Sequence, residues 1–141
     1  MSAPQSAPQS RVLIVEDDPF IGMIEVRLLR GLGAEPTLCA TMAEGLVAAS
    51  GGGWALVLLD LNLPDGDGID LLQTFLAIPA LRGSPVLCVS GDEGAERWLR
   101  QASRSAPRPA CLGLLRKPFQ RLDFQARVQA ELDRGPDALC A

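Results

Sequence analysis

Four carboxylates, a lysine and a hydroxyl stand at matching points of this chain, each at or just beyond the end of an apolar run. Glu16, Asp17 and Asp18 follow Val12-Leu13-Ile14-Val15, and Asp60 follows Leu56-Val57-Leu58-Leu59. Ser90 follows Val86-Leu87-Cys88-Val89, and Lys117-Pro118 follows the run from Leu112 to Leu115. Runs that are apolar throughout suit strands buried on both faces of a parallel sheet. In such sheets the carboxyl ends of the strands form the site. Four strands then deliver acids, a hydroxyl and an amine to one edge, a set able to bind a divalent metal and to accept a phosphoryl group.

Asp60 is the candidate nucleophile. A carboxylate that attacks a phosphoryl group needs its own charge offset, and a bound Mg²⁺ (or Mn²⁺) does this. Mg²⁺ takes about six oxygen ligands at ~2.0–2.1 Å and keeps several waters. Asp17 and Asp60 can supply direct oxygens, and Glu16 can hold a metal-bound water. Lys117 offers a point charge to a phosphate oxygen, and Ser90 a hydrogen bond to another. Three acids crowded together repel one another, so cation binding follows from the crowding itself.

The elements that position these groups read as alternating strands and helices. Residues 1–10 repeat Ser-Ala-Pro-Gln and form a low-complexity tail. The first strand lies near 11–15. Asp18 caps the first helix, Pro19 suits its first turn, and Ile21, Ile24, Leu28 and Leu29 give it helical spacing. Gly31 and Gly33 end it. A second strand spans 35–39, and Thr41 with Glu44 forms a capping box for the second helix. The third strand is 55–59 and the third helix about 68–78. The fourth strand is 85–89, with a helix starting near Asp92. The fifth strand is about 111–115, and the last helix runs from about 120 to 134, stopped by Gly135-Pro136. Five βα units with short connections make a three-layer α/β sandwich. The division is a tail over 1–10, one domain over 11–134 and a second tail over 135–141.

Four motifs carry a family resemblance: Val15-Glu16-Asp17-Asp18-Pro19, Leu59-Asp60-Leu61-Asn62-Leu63-Pro64 with Gly66 and Gly68, Val89-Ser90-Gly91, and Lys117-Pro118-Phe119. The chain resembles a receiver (CheY-like) domain of two-component response regulators over about residues 11–134. The resemblance implies a flavodoxin-like (βα)5 fold with a five-stranded parallel sheet in the order 2-1-3-4-5. It implies that Asp60 is the phosphoacceptor for a sensor histidine kinase or phosphotransfer protein. Asp17 and the backbone carbonyl of Asn62 would bind Mg²⁺, with Glu16 in the outer shell. Ser90 would be the switch hydroxyl, Lys117 the lysine that contacts the phosphoryl group, and Lys117–Pro118 a cis peptide. Asn62 and Asp92 would tune phosphoryl lifetime.

Leu114 departs from the family pattern, since many receivers carry Tyr or Phe there. Leucine has no ring face or phenolic hydroxyl, which affects readout on the face of the fourth helix, fifth strand and fifth helix. A second departure is the longer segment between Ser90 and Lys117, containing Pro107 and Pro109. This segment and Leu112 to Phe119 resemble receivers fused to EAL-type cyclic-di-GMP phosphodiesterases.

Composition removes several other classes. The 141 residues suffice for one domain with a core, and the net charge of −4 argues against direct nucleic-acid binding. Residues 1–90 carry 4 Lys/Arg and 10 Asp/Glu, residues 91–141 carry 9 and 7, so a partner face suits the second part. There is no histidine, which removes Cys/His zinc sites and His-dependent triads. Cys39, Cys88, Cys111 and Cys140 form no C-x-x-C pair and read as reduced thiols. No signal peptide or membrane-spanning run is visible, so a cytoplasmic protein is expected. Asp65-Gly66-Asp67-Gly68 fails the calcium-loop spacing and reads as a cap of the third helix. Arg97, Arg100 and Arg104 share one side of the fourth helix and read as a solvated face, with a docking stripe as the alternative.

The leading reading is a phosphorylation-controlled switch whose output is binding to a partner protein or to a second copy through the face around Leu114. It is a phosphoacceptor, with no turnover beyond its own phosphoryl transfer and loss. One competing reading is a docking module that works without phosphorylation. Another is a Mg²⁺-dependent aspartyl phosphohydrolase, disfavoured because no acid stands two positions after Asp60.

Overall fold

The computed structural model describes residues 10–64, 67–105 and 112–134. Readings that concern the two tails, Asp65, Gly66, Pro107, Pro109, Cys111 and Cys140 lie outside these residues. Five strands, β1 (Arg11–Val15), β2 (Glu35–Cys39), β3 (Leu56–Asp60), β4 (Val86–Ser90) and β5 (Leu112–Arg116), alternate with five helices. The helices are α1 (Pro19–Gly31), α2 (Met42–Ser50), α3 (Gly68–Leu76), α4 (Ala95–Ser105) and α5 (Arg121–Arg134), with a 3₁₀ turn at Pro79–Leu81. All strand pairs are parallel, in the order β2-β1-β3-β4-β5.

Side chains alternate across the sheet and divide the core in two. Leu13, Val15, Val57, Leu59 and Cys88 face Ala49 of α2, Leu72 and Phe75 of α3, and Ala95 and Ala102 of α4. Val12, Ile14, Leu56, Leu58 and Leu87 face Leu28 and Leu29 of α1 and Phe124 and Val128 of α5. Both faces of β1, β3 and β4 are covered, which is why those runs are apolar throughout. β2 lies at an edge, is mostly accessible and carries Glu35 and Thr37.

Helix ends follow local chemistry. The Asp18 carboxylate accepts the N–H groups of Phe20 and Ile21; Thr41 Oγ1 accepts the Glu44 N–H, while the Glu44 carboxylate reaches back past the cap to the Ala40 N–H, a variant of the expected capping box. Gly33 turns the chain after α1 at φ +83°, a region favouring glycine.

Several boundaries differ from the sequence reading. α3 ends at Leu76, because Ile78 precedes Pro79 and is extended. Asp67 occupies the α3 N-cap position, but its side chain makes no capping bond. α4 starts at Ala95, because the Asp92 carboxylate accepts the Gly94 N–H and closes a turn there first. β3, β4 and β5 run to Asp60, Ser90 and Arg116, so Asp60 and Ser90 are the last residues of their strands.

The buried stripe of α1 is also rotated from the expected one. Gly22, Glu25, Leu28 and Leu29 point inward, while Ile24 is 43% exposed. Gly22 makes this possible: an added Cβ would lie 3.0 Å from Leu38 Cδ2.

Candidate functional site

The sheet order places β1 beside β3 and β3 beside β4, so Glu16, Asp17, Asp60 and Ser90 converge at one edge. The backbone ladder continues one residue past the strands. Glu16 N–H donates to Cys39 O (2.9 Å), Leu61 N–H to Val89 O (3.1 Å) and Lys117 N–H to Ser90 O (3.0 Å). Site residues are thereby fixed by main-chain bonds. The Lys117–Pro118 peptide is cis.

Glu16, Asp17 and Asp60 each bring a carboxylate oxygen within 4.8 Å of the others. Glu16 and Asp60 are buried, and Asp17 is at the exposed rim. Lys117 Nζ lies 3.1 Å from Glu16 Oε1 and 3.4 Å from Asp60 Oδ2. Asp60 Oδ1 accepts the Asn62 N–H at 2.9 Å, and Glu16 Oε2 accepts the Asp18 N–H at 3.2 Å.

The crowding shifts protonation. Burial, with hydrogen bonding and repulsion from Asp60, pushes the Glu16 carboxyl up to about 7 against the pull of Lys117. Lost hydration and the Asp60 charge raise Asp17. Burial alone would lower Lys117, but Asp60 and Glu16 outweigh it and hold the ammonium above its ordinary value. A hard divalent cation fits this donor set, since carboxylate oxygens suit Mg²⁺ and its charge relieves the repulsion.

Ser90 Oγ donates to Asn62 Oδ1 (2.9 Å) and accepts the Asp92 N–H (3.0 Å). Asn62 and Asp92 therefore flank the site from two loops and bind the same hydroxyl. Leu114 is half-buried against the core layer of α2, α3 and α4. Arg97, Arg100 and Arg104 are exposed. Cys39 and Cys88 are buried free thiols, and burial raises both.

Three features escaped the sequence reading. Arg116, one before Lys117, donates to Asp92 O (2.7 Å) and pairs with Glu96 (2.6 Å). Glu25 is 1% exposed beneath the acid cluster, and its Oε1 has no hydrogen-bond partner among the described residues. Burial, then the negative charge of Glu16, pushes it up to about 8. Gly22 and Leu29, at i−3 and i+4 from Glu25, are the signal that placed it inward. The third is the contact of Trp98, whose ring abuts Gly68.

Beside Lys117 lies an apolar groove of about 330 Å³, bounded by Ile21, Ile24, Leu28, Pro118 and Phe119. Phe119 stacks on Phe124 at 5.0 Å between centroids. No helix among the described residues is long and apolar enough to cross a membrane.

A parallel (βα)5 sandwich with this acid cluster at the carboxyl edge defines a class, and comparison with known proteins gives the family. The profile of the response regulator receiver domain matches residues 12–129. The chain belongs to the response regulator receiver family of two-component systems. It is 33% identical over 129 residues to the transcriptional activator protein PfeR of Pseudomonas aeruginosa, covering 92% of this chain and 40% of that protein. It is 31% identical over 135 residues to the KDP operon transcriptional regulatory protein KdpE of Escherichia coli, covering 92% and 56%. The chain thus spans about half the length of these curated relatives. A CheY-like receiver domain protein from Methanospirillum hungatei superimposes with a TM-score of 0.74 at 30% identity, covering 90% of this chain and 96% of that one. Chemotaxis protein CheY4 of Vibrio cholerae shares the fold, with a TM-score of 0.73 at 21% identity over 87% and 98%.

Proposed function

We propose that this chain is a phosphoacceptor switch, with the receiver unit over 11–134 and Asp60 as acceptor. One observation carries the reading: three carboxylates within 4.8 Å, with Lys117 3.4 Å from Asp60. A strand end bearing so much charge is costly as mere scaffolding. In the reaction, an Asp60 carboxylate oxygen attacks the phosphorus of a phosphohistidine on a sensor kinase or phosphotransfer protein. The O–P bond forms as the P–N bond breaks, and that electron pair stays on the imidazole. Asp17, Asp60 and the Asn62 carbonyl would hold Mg²⁺, with Glu16 behind them through water. When bound, that ion supplies positive charge that offsets the repulsion between carboxylate and phosphoryl oxygens.

Lys117 is already paired to Asp60 and holds its ammonium against the developing charge. Ser90 has one hydroxyl proton, now given to Asn62, and transfers that bond to a phosphoryl oxygen. Asn62 and Asp92 flank the path of a hydrolytic water, so they set phosphoryl lifetime. The output is altered binding, by a protein partner, by a second copy or by further domains such as the relatives carry. A cytoplasmic setting, without direct contact to nucleic acid or membrane, suits a donor kinase acting from inside the cell. The half-buried Leu114 favours a second reading, a docking module independent of phosphorylation.

The test is intact mass after incubation with acetyl phosphate and Mg²⁺, with borohydride trapping to locate the site. One Mg²⁺-dependent phosphoryl group on Asp60 is expected. Failure of a cognate kinase to label Asp60 as well would sink the proposal. Lys117→Ala separates acceptance from switching: the phosphorylated chain that still forms should lack the amide shifts that phosphorylation causes around 90–105.

A further inference from the structure

We propose that Trp98 reports the state of Asp60, in place of the ring that position 114 lacks. This rests on the phosphoacceptor reading above. The Trp98 ring fills the seam between α3 and α4 and lies against the backbone of two glycines. An added Cβ at Gly68 would stand 2.5 Å from Trp98 Cζ3 and 2.7 Å from Cε3. One at Gly94 would lie 3.6 Å from Cε2 and Cζ2. The glycines give the ring flat surfaces with no side chain to hold it in one place. The ring also borders a cleft of about 480 Å³ whose other walls include Asn62 and Asp92.

Those two residues bind Ser90, and a short run of bonds joins the switch hydroxyl to the backbone N–H of Trp98, at the helix turn that carries the ring. Asp92 N–H donates to Ser90 Oγ (3.0 Å), Asp92 Oδ1 accepts the Gly94 N–H (2.7 Å), and Trp98 N–H donates to Gly94 O (3.1 Å). When Ser90 turns its proton to a phosphoryl oxygen on Asp60, its bond to Asn62 Oδ1 breaks. Movement of Oγ also strips the Asp92 N–H of its acceptor. The loop from Ser90 to Ala95 then resets, and Trp98 slides over Gly68 at the far end. Readout therefore occurs at the α3–α4 seam. Leu114, packed against the same core layer, is a passive neighbour.

The chain has two tryptophans, and the other, Trp54, precedes β3 at the opposite edge. Full-length protein labelled with 5-fluorotryptophan gives two ¹⁹F resonances, assigned with Trp54→Phe. Acetyl phosphate with Mg²⁺, followed by mass in parallel, is expected to shift the Trp98 resonance beyond its linewidth and leave Trp54 in place. Ser90→Ala should remove the shift per phosphorylated chain. Gly68→Ala should displace the Trp98 resonance before any phosphoryl donor is added. A stationary Trp98 resonance in chain phosphorylated on Asp60 overturns the inference and leaves the acceptor reading intact. Failure of acetyl phosphate and of the cognate kinase alike to label Asp60 overturns both.

Discussion

The two edges of the sheet treat polar groups in opposite ways. At the amino edge each bonds locally: Trp54 Nε1 donates to Ala48 O (3.0 Å), Ser84 Oγ to Trp54 O (2.8 Å), and Arg11 covers the Trp54 ring at 4.2 Å while bonding Gly52 O. At the carboxyl edge like charges are pressed together, the Glu16 carboxyl is pushed up to about 7, and Glu25 lies buried with no hydrogen-bond partner for Oε1 among the described residues. Interiors normally satisfy such groups. The amino edge is built for stability, and the carboxyl edge gives up stability to gather charge in one place, as the proposed function requires.

The largest effect that could break this contrast is at Asp60. Asp60→Asn should reduce phosphoryl uptake to background, read by intact mass, with a cooperative thermal melt retained. Uptake at the unmodified rate would move the acceptor elsewhere. At the other edge, Trp54→Ala should lower unfolding free energy by about 3–5 kcal/mol in urea. The variant that remains folded should still label Asp60, and lost labelling would mean the edges are not separable.

Between these sits Glu25. Its folded value of about 8 lies above the ordinary 4.5, so the folded state holds the extra proton between those limits. Stability should then fall as pH rises from about 4.5 to 8, and Glu25→Gln should flatten that slope. The gain should be a few kcal/mol, on the order of 1.4 kcal/mol per pH unit, at pH 8.5 and almost nothing at pH 4. Parallel melts of both proteins across this range check it; equal slopes would show Glu25 ionised within the fold. The smallest effect is expected at Arg116, whose pair with Glu96 is exposed. Arg116→Gln should change stability by less than about 1 kcal/mol, measured by urea titration.

The sequence exposed the strands because three of them are buried on both faces, which leaves unbroken apolar runs. It exposed Glu16, Asp17, Asp60, Ser90 and Lys117 because each follows such a run. Helix starts were less legible where side chains compete with the helix, as Asp92 does through Gly94. The α1 face was misread because Ile21 and Ile24 line an open groove while Glu25 turns inward. Apolar spacing alone reports hydrophobic residues and has no means of flagging a buried acid. The Trp98–Gly68 contact joins residues thirty apart, and only the packing of α3 on α4 brings them together.

The rungs of backbone hydrogen bonding that end at Glu16, Leu61 and Lys117 have a consequence for descent. Main-chain bonds that set these positions ask nothing of the side chains they carry. A lineage can therefore exchange the chemistry at this edge, or lose it, and inherit the same scaffold. A chain with other chemistry at this edge, or none, would then lie only a few substitutions away.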